Sequence, residues 1–127
     1  MCDVLLLEDQ PELLDLMQLA LEMRGYDVRV CANAGDALGW LARDGACKVI
    51  VTDLDLGPGM DGVSVVDAAH RRHPGLRVLF YSGHASLPRG RLLGEGERFL
   101  EKPFSRLALF DLLDELGVEP SGVPLPH

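Results

Sequence analysis

The chain is short of bases, of lysine above all, and of any long apolar run. Of its 127 residues, 12 are Lys or Arg against 20 Asp or Glu, a net charge of −8. Nucleic-acid binding rests on neutralising phosphates with Lys and Arg, so this balance argues against such a partner. No stretch is long and apolar enough to span a bilayer, which argues against membrane insertion. The opening Met1-Cys2-Asp3 lacks the basic leader and apolar core of a secretory signal. The three cysteines, Cys2, Cys31 and Cys47, are widely spaced and form no CxxC or Cys/His ligand pattern. They are expected to be reduced thiols without a role, in a cytoplasmic protein. What remains is ordinary for a globular chain: 47% hydrophobic and 25% charged residues, at a length that suits one domain with a real core.

Val49-Ile50-Val51-Thr52-Asp53-Leu54-Asp55 organises the rest. An apolar, β-branched run leading straight into a carboxylate predicts a strand buried on both faces, with Asp53 where the strand stops. An unpaired carboxylate there is costly, so the chain must supply something to hold its charge.

Around that strand, apolar runs alternate with helical patterns. Asp3 to Leu7 predicts a first strand that ends in Glu8-Asp9. Pro11 suits the first turn of a helix, with Leu13, Leu16, Met17, Ala20 and Leu21 at helical spacing and Gly25 as its stop. Tyr26 to Cys31 predicts strand two. A second helix follows, capped by Asn33, with Ala34, Ala37, Leu38 and Leu41 as its stripe. The glycines of Leu56-Gly57-Pro58-Gly59-Met60-Asp61-Gly62 predict a loop. A third helix should run from about Val63 to Arg72, with Val65, Val66 and Ala69 inward. Its His70 and His73, beside Arg71 and Arg72, are expected on a solvated face. Arg77 to Tyr81 predicts strand four, followed at once by Ser82-Gly83-His84. A fourth helix over Ser86–Gly96 would be weak, because Pro88, Gly90, Gly94 and Gly96 interrupt it. Arg98-Phe99-Leu100 predicts strand five, followed by Lys102-Pro103. Ser105 caps a last helix with Leu109, Leu112, Leu113 and Leu116 on one face. Residues 1–116 then form the domain, and 117–127, rich in proline and ending in His127, a mobile tail.

Strands alternating with helices predict a parallel sheet covered on both faces, with ligands beyond the carboxyl ends of the strands. Glu8, Asp9, Asp53, Ser82 and Lys102 each follow an apolar strand, so all should lie at that edge. Crowded carboxylates demand a cation or raised pKa values. An oxygen-only ligand set selects a hard divalent ion, Mg²⁺. A metal, an ammonium and a hydroxyl around one Asp suit a phosphoryl group in transfer.

The ordered set Glu8-Asp9, Asp53, Met60-Asp61-Gly62, Ser82-Gly83 and Phe99-Leu100-Glu101-Lys102-Pro103-Phe104 resembles the receiver domain of two-component response regulators, up to about Leu116. The resemblance implies an α/β, flavodoxin-like, doubly wound fold: a five-stranded parallel sheet of order 2-1-3-4-5 with five helices. It implies Asp53 as acceptor of a phosphoryl group from a histidine kinase or histidine phosphotransfer protein, and a downstream protein target whose binding the phosphoryl group switches. Asp9 and Asp53 would ligate Mg²⁺, with Glu8, acting through water, and the Asp55 backbone carbonyl. Lys102 would pair with Asp53 and then with the phosphate. Ser82 and Phe99 would be the switch residues, and the Lys102-Pro103 bond would be cis. Leu54 and Gly83 would neighbour the phosphate, and Asp55 and His84 would flank it and tune hydrolysis. Such a domain is no turnover enzyme; its chemistry is limited to self-phosphorylation and autodephosphorylation.

The loop after Asp55 is one residue longer than the family's commonest form. The sequence is compatible with a stand-alone receiver and with a piece of a longer regulator or hybrid kinase. Asp53-Leu54-Asp55 also resembles the DxD of haloacid-dehalogenase phosphatases and, together with Glu8, the Toprim nucleases. Both are Mg²⁺-dependent phosphoryl-transfer enzymes. The motif's place on the third strand disfavours the first and the −8 charge the second. Glu8-Asp9 would repel FMN, which disfavours a flavodoxin.

Overall fold

The computed structural model describes residues 2–43, 47–56, 61–83 and 92–124. In chain order these form β1 (Cys2–Leu7), α1 (Pro11–Met23), β2 (Val28–Cys31), α2 (Ala34–Ala42), β3 (Cys47–Asp53), α3 (Gly62–Arg72), β4 (Arg77–Ser82), β5 (Glu97–Glu101) and α4 (Arg106–Glu115). The strands pair in parallel in the order β2-β1-β3-β4-β5, as the resemblance implied. Most of the weak helix expected over Ser86–Gly96 lies outside the described residues, and Leu92–Gly96 carries no helix. The last helix of the sequence is therefore α4.

Both faces of the sheet are buried, which is why its central strands are apolar without alternation. One face sets Val4, Leu6, Val49, Val51, Leu79 and Tyr81 against α1 and α4, through Met17, Leu21, Leu109, Phe110 and Leu113. The other sets Leu5, Leu7, Ile50, Val78 and Phe80 against α2 and α3, through Ala37, Leu41, Val65, Val66 and Ala69. Leu16, expected inward, is 65% exposed. It shares the apolar period, but α1 turns Met17 and Leu21 to the core and leaves Leu16 at the margin.

Three of the four described helices start at a side-chain cap. Asn33 Oδ1 accepts from the Asp36 amide at 2.8 Å, Asp61 Oδ1 from Ser64 at 2.8 Å and Ser105 Oγ from Ala108 at 3.1 Å. Each such cap stabilises its helix by about 1 kcal/mol.

Three expectations change. Cys2 and Cys47 are not reduced thiols but a disulfide; they face each other across the β1–β3 register with Cα atoms 4.6 Å apart, and Cys31 stays free and buried. The pairing depends on strand register, which spacing along the chain does not reveal. His70 and His73 are not simply solvated: their Nε2 atoms lie 2.9 Å from the Leu76 carbonyl oxygen and 3.0 Å from that of Leu41.

The described part of the expected mobile tail is also held. Val118 is fully buried. The Gly122 amide donates to the Gly25 carbonyl at 2.8 Å. Gly25 has φ 102°, and a Cβ there would sit 2.6 Å from the Gly122 carbonyl oxygen, so the helix stop and the docking site require the same glycine. Asp3, fully buried, accepts at Oδ2 from the Ser121 amide (2.9 Å), the Ser121 hydroxyl (2.8 Å) and the Asp27 amide (2.8 Å). Lys48 Nζ stands 2.9 Å from Asp3 Oδ1. Burial alone would push the Asp3 carboxyl up, but the donors from Asp27, Ser121 and Lys48 together hold it below its ordinary 3.8.

Candidate functional site

β1, β3 and β4 end together, and their register decides which side chains meet. Leu7 stands opposite Thr52 and Asp53 opposite Tyr81, so Glu8, Asp53 and Tyr81 form one row across the carboxyl edge. Ser82 is paired with Glu101, which brings Lys102 alongside; the Lys102 amide donates to the Ser82 carbonyl at 2.8 Å. The Lys102-Pro103 peptide is cis, as expected.

Asp53 is 4% exposed, and both of its oxygens are engaged. Lys102 Nζ lies 2.7 Å from Oδ2, and the Asp55 amide donates to Oδ1 at 2.9 Å. The ammonium, reaching in from a half-buried position, is the counter-charge that the strand-end carboxylate demanded. Gly62 makes this possible from below: its amide donates to the Leu54 carbonyl at 3.1 Å, and a Cβ on it would collide with the Asp53 carbonyl oxygen.

Glu8 is fully buried. Tyr81 Oη donates to its Oε1 at 2.6 Å and the Gln10 amide to its Oε2 at 2.9 Å. Burial pushes the Glu8 carboxyl above its usual range; the two donors pull it back, and the neighbouring Asp9 and Asp53 push it further up. The same burial and acidic surroundings raise Tyr81, so its hydroxyl keeps its proton as a donor. Ser82, almost wholly buried, donates to Asp55 Oδ2 at 3.2 Å.

Glu8, Asp53, Asp55, Ser82 and Lys102 are thus brought together. Asp9 is exposed at the rim, and Asp55 and Gly83 are exposed beside it, with Leu54 buried beneath. Phe99 is half-buried against the α2–α3 face of the sheet. His84 and Met60 lie outside the described residues. Beside Lys102, Leu13, Pro103 and Phe104 line an apolar recess. Tyr81 is the site residue that strand reasoning passed over. The signal for it was a tyrosine directly before the strand-end Ser82, in a strand otherwise of Val, Leu and Phe.

Among the described residues, no three His, Cys, Asp or Glu side chains converge as a ready metal cage. Glu8 and Asp53, carboxylates in one row at the strand ends, are the kind of oxygen donor that Mg²⁺ takes, one or two at a time, alongside several waters. The donors at this edge are all oxygens, and the Glu8 and Asp53 carboxylates stand in one row, where a divalent ion would offset their charge.

A doubly wound, five-stranded parallel sheet with an acidic pocket, an ammonium and a hydroxyl at its carboxyl edge places the molecule among the flavodoxin-like α/β domains. The chain belongs to the response regulator receiver domain family, whose model matches residues 4–114. It is 34% identical over 113 residues to the nitrogen assimilation regulatory protein NtrX of Azorhizobium caulinodans, covering 81% of this chain and 23% of that protein. It is 32% identical over 104 residues to the C4-dicarboxylate transport transcriptional regulatory protein DctD of Rhizobium meliloti, covering 80% of this chain and 22% of that one. The chain therefore spans under a quarter of the length of either relative. Among solved structures, a response regulator receiver protein from Sinorhizobium medicae superposes with a TM-score of 0.82 at 27% identity, covering 91% of this chain and 93% of that one. The chemotaxis protein CheY4 of Vibrio cholerae gives 0.79 at 25% identity, covering 91% and 98%. The phosphatase and nuclease alternatives are not favoured: the family match takes in Ser82 and Lys102, which neither of them uses.

Proposed function

We propose that this domain takes a phosphoryl group onto Asp53 from the phosphohistidine of a kinase or phosphotransfer protein, and that the phosphorylated form binds a downstream protein differently. A carboxylate oxygen of Asp53 forms the new P–O bond as the P–N bond to the donor imidazole breaks, and the imidazole leaves with the electron pair. The observation that carries this reading is the 2.7 Å contact of Lys102 Nζ with Asp53 Oδ2 inside an otherwise acidic pocket. That ammonium stands where negative charge gathers in transfer, and follows the charge from carboxylate to phosphoryl oxygens. Asp9, Asp53 and the Asp55 carbonyl, with Glu8 through water, would hold Mg²⁺, which neutralises phosphoryl oxygens when bound. Ser82 would exchange its present acceptor, Asp55, for a phosphoryl oxygen, and Phe99 would move with it. Leu54 and Gly83 would lie against the phosphate, and Asp55 and His84 would influence its hydrolysis.

This role is that of a phosphorylated switch and not a turnover enzyme. Residues 1–116 carry all of its site residues, and 118–122 pack against them. We place the domain in the cytoplasm, with its phosphohistidine donor; separately, no described helix is long and apolar enough to cross a membrane. The Cys2–Cys47 bond pulls the other way, since disulfides are rare in reducing compartments. No contact with nucleic acid is proposed for this acidic stretch itself.

The experiment is intact-mass measurement after incubation with Mg²⁺ and acetyl phosphate. The expected result is a single labile phosphoryl adduct, absent in Asp53→Asn and absent when the divalent ion is chelated. An adduct that survives Asp53→Asn, or turnover of phosphate esters, overturns the proposal.

A further inference from the structure

Tyr81 has no part in the chemistry described above, yet it touches both halves of the site. It is fully buried at the end of β4. Its hydroxyl donates to Glu8 Oε1 at 2.6 Å and lies 3.5 Å from the Leu7 carbonyl oxygen. Its ring meets Phe104 edge-on, with centroids 5.6 Å apart. Lys102 Nζ stands 5.2 Å from the ring centroid while holding Asp53. One side chain thus binds the buried acid that follows β1 and underlies the ammonium that follows β5.

A buried tyrosine hydroxyl needs an acceptor, and the Leu7 carbonyl would have satisfied it. The short bond instead goes to a carboxylate, where it is charge-assisted and roughly twice as strong as a neutral one. A phenylalanine would fill the same space and offer the same ring face to Lys102. The hydroxyl is therefore the part whose purpose needs explaining, and its one close acceptor is Glu8. The other Glu8 oxygen accepts from the Gln10 amide, at the foot of α1. Without the phenol, the glutamate's three side-chain torsions would lose the shorter of these two bonds.

We infer that Tyr81 is a positioning residue: it orients the Glu8 carboxylate for the divalent cation while its ring seats the Lys102 ammonium, and so joins the metal side of the pocket to the phosphoryl side. This rests on the proposed role of Glu8 towards Mg²⁺. Groups that orient a metal ligand from behind typically change metal affinity about 10- to 100-fold when removed, and Glu8, acting through water, puts Tyr81 at the low end of that range.

The experiment is a double-mutant cycle read by Mg²⁺ affinity, independent of phosphorylation. Mg²⁺ is titrated into wild type, Tyr81→Phe, Glu8→Gln and the double variant, following the backbone amide resonances of Gln10 and Asp55. The same spectra report whether each variant is folded. Tyr81→Phe is expected to weaken Mg²⁺ binding about tenfold in the wild-type background. In the Glu8→Gln background it should change affinity less than about twofold, because the group it acts through is gone. A Tyr81→Phe protein that binds Mg²⁺ as wild type does overturns the inference. So does a tenfold loss that persists without Glu8, since that is the mark of a general structural role. The receiver reading fails separately: a wild-type protein that binds Mg²⁺ but takes no phosphoryl group from acetyl phosphate would refute that reading and leave the coupling intact.

Discussion

Replacing Asp3 by alanine should cost about 3 kcal/mol of stability, although Asp3 lies at the opposite edge of the sheet from Asp53. The carboxylate is fully buried and collects the Asp27 amide, the Ser121 amide and hydroxyl, and the Lys48 ammonium, all within 2.9 Å. Hydrogen bonds to a charged acceptor contribute roughly 1.5–3 kcal/mol apiece, but burying the charge returns several kcal/mol. After truncation, Lys48 (34% exposed side chain) and the surface residues Asp27 and Ser121 regain water, so the loss is smaller than the sum of the contacts. What does not return is the tie between the two ends of the chain, together with the burial of Val118 behind it. For a domain of this size about 3 kcal/mol corresponds to a fall in Tm on the order of 10 °C. The pH dependence has a definite sign. The Asp3 carboxyl is held below its ordinary 3.8, so its contribution is present above that value and is lost as pH falls through the folded-state value. Urea unfolding of wild type and Asp3→Ala from pH 7 down to pH 3 should therefore show a gap that is constant near neutrality and narrows below about pH 3.8. Hydrogen exchange should show faster exchange at Ser121 and Gly122 in the variant. Equal stability at pH 7, or a gap indifferent to acid, would refute the argument.

Gly62→Ala should cost about 1–3 kcal/mol by equilibrium unfolding, because the new methyl group must displace the Asp53 backbone; an unchanged midpoint would show that the loop yields freely. Lys102→Gln should slow adduct formation with acetyl phosphate about tenfold or more while Mg²⁺ binding persists, and a wild-type rate would remove the ammonium from the chemistry. Asp55→Ala frees the Ser82 hydroxyl from its present acceptor and should lengthen the life of the phosphoryl group; decay matching wild type in both Asp55→Ala and His84→Ala would end the proposal that these side chains tune hydrolysis. Alkylation in denaturant without reductant should label Cys31 alone, and all three cysteines after reduction; three labels without reductant would show the Cys2–Cys47 bond open in solution.

The alternation of apolar runs with capped helices was legible because its causes are local. Val and Ile dictate extended chain, Asn33 and Ser105 supply the first hydrogen bond of their helices, and Pro11 and Gly25 punctuate; the cap by Asp61, read in the sequence as a loop residue, came only with the structure. The helix interior was legible in α3, where Val65, Val66 and Ala69 are buried as expected, and less so in α1, where Leu16 follows the same period but faces solvent. Period says which residues share a stripe; how wide a stripe the sheet covers is a property of packing.

The five polar positions at strand ends could be named from the sequence alone, because in a parallel sheet every carboxyl end shares one edge. Which of them touch was decided by register and reach. Lys102 Nζ meets Asp53 across 49 positions of chain, Tyr81 meets Glu8 across 73, and Ser121 meets Asp3 across 118. A sequence records neighbours along the chain. Buried charges are satisfied by neighbours in space, and only the tertiary structure assigns those.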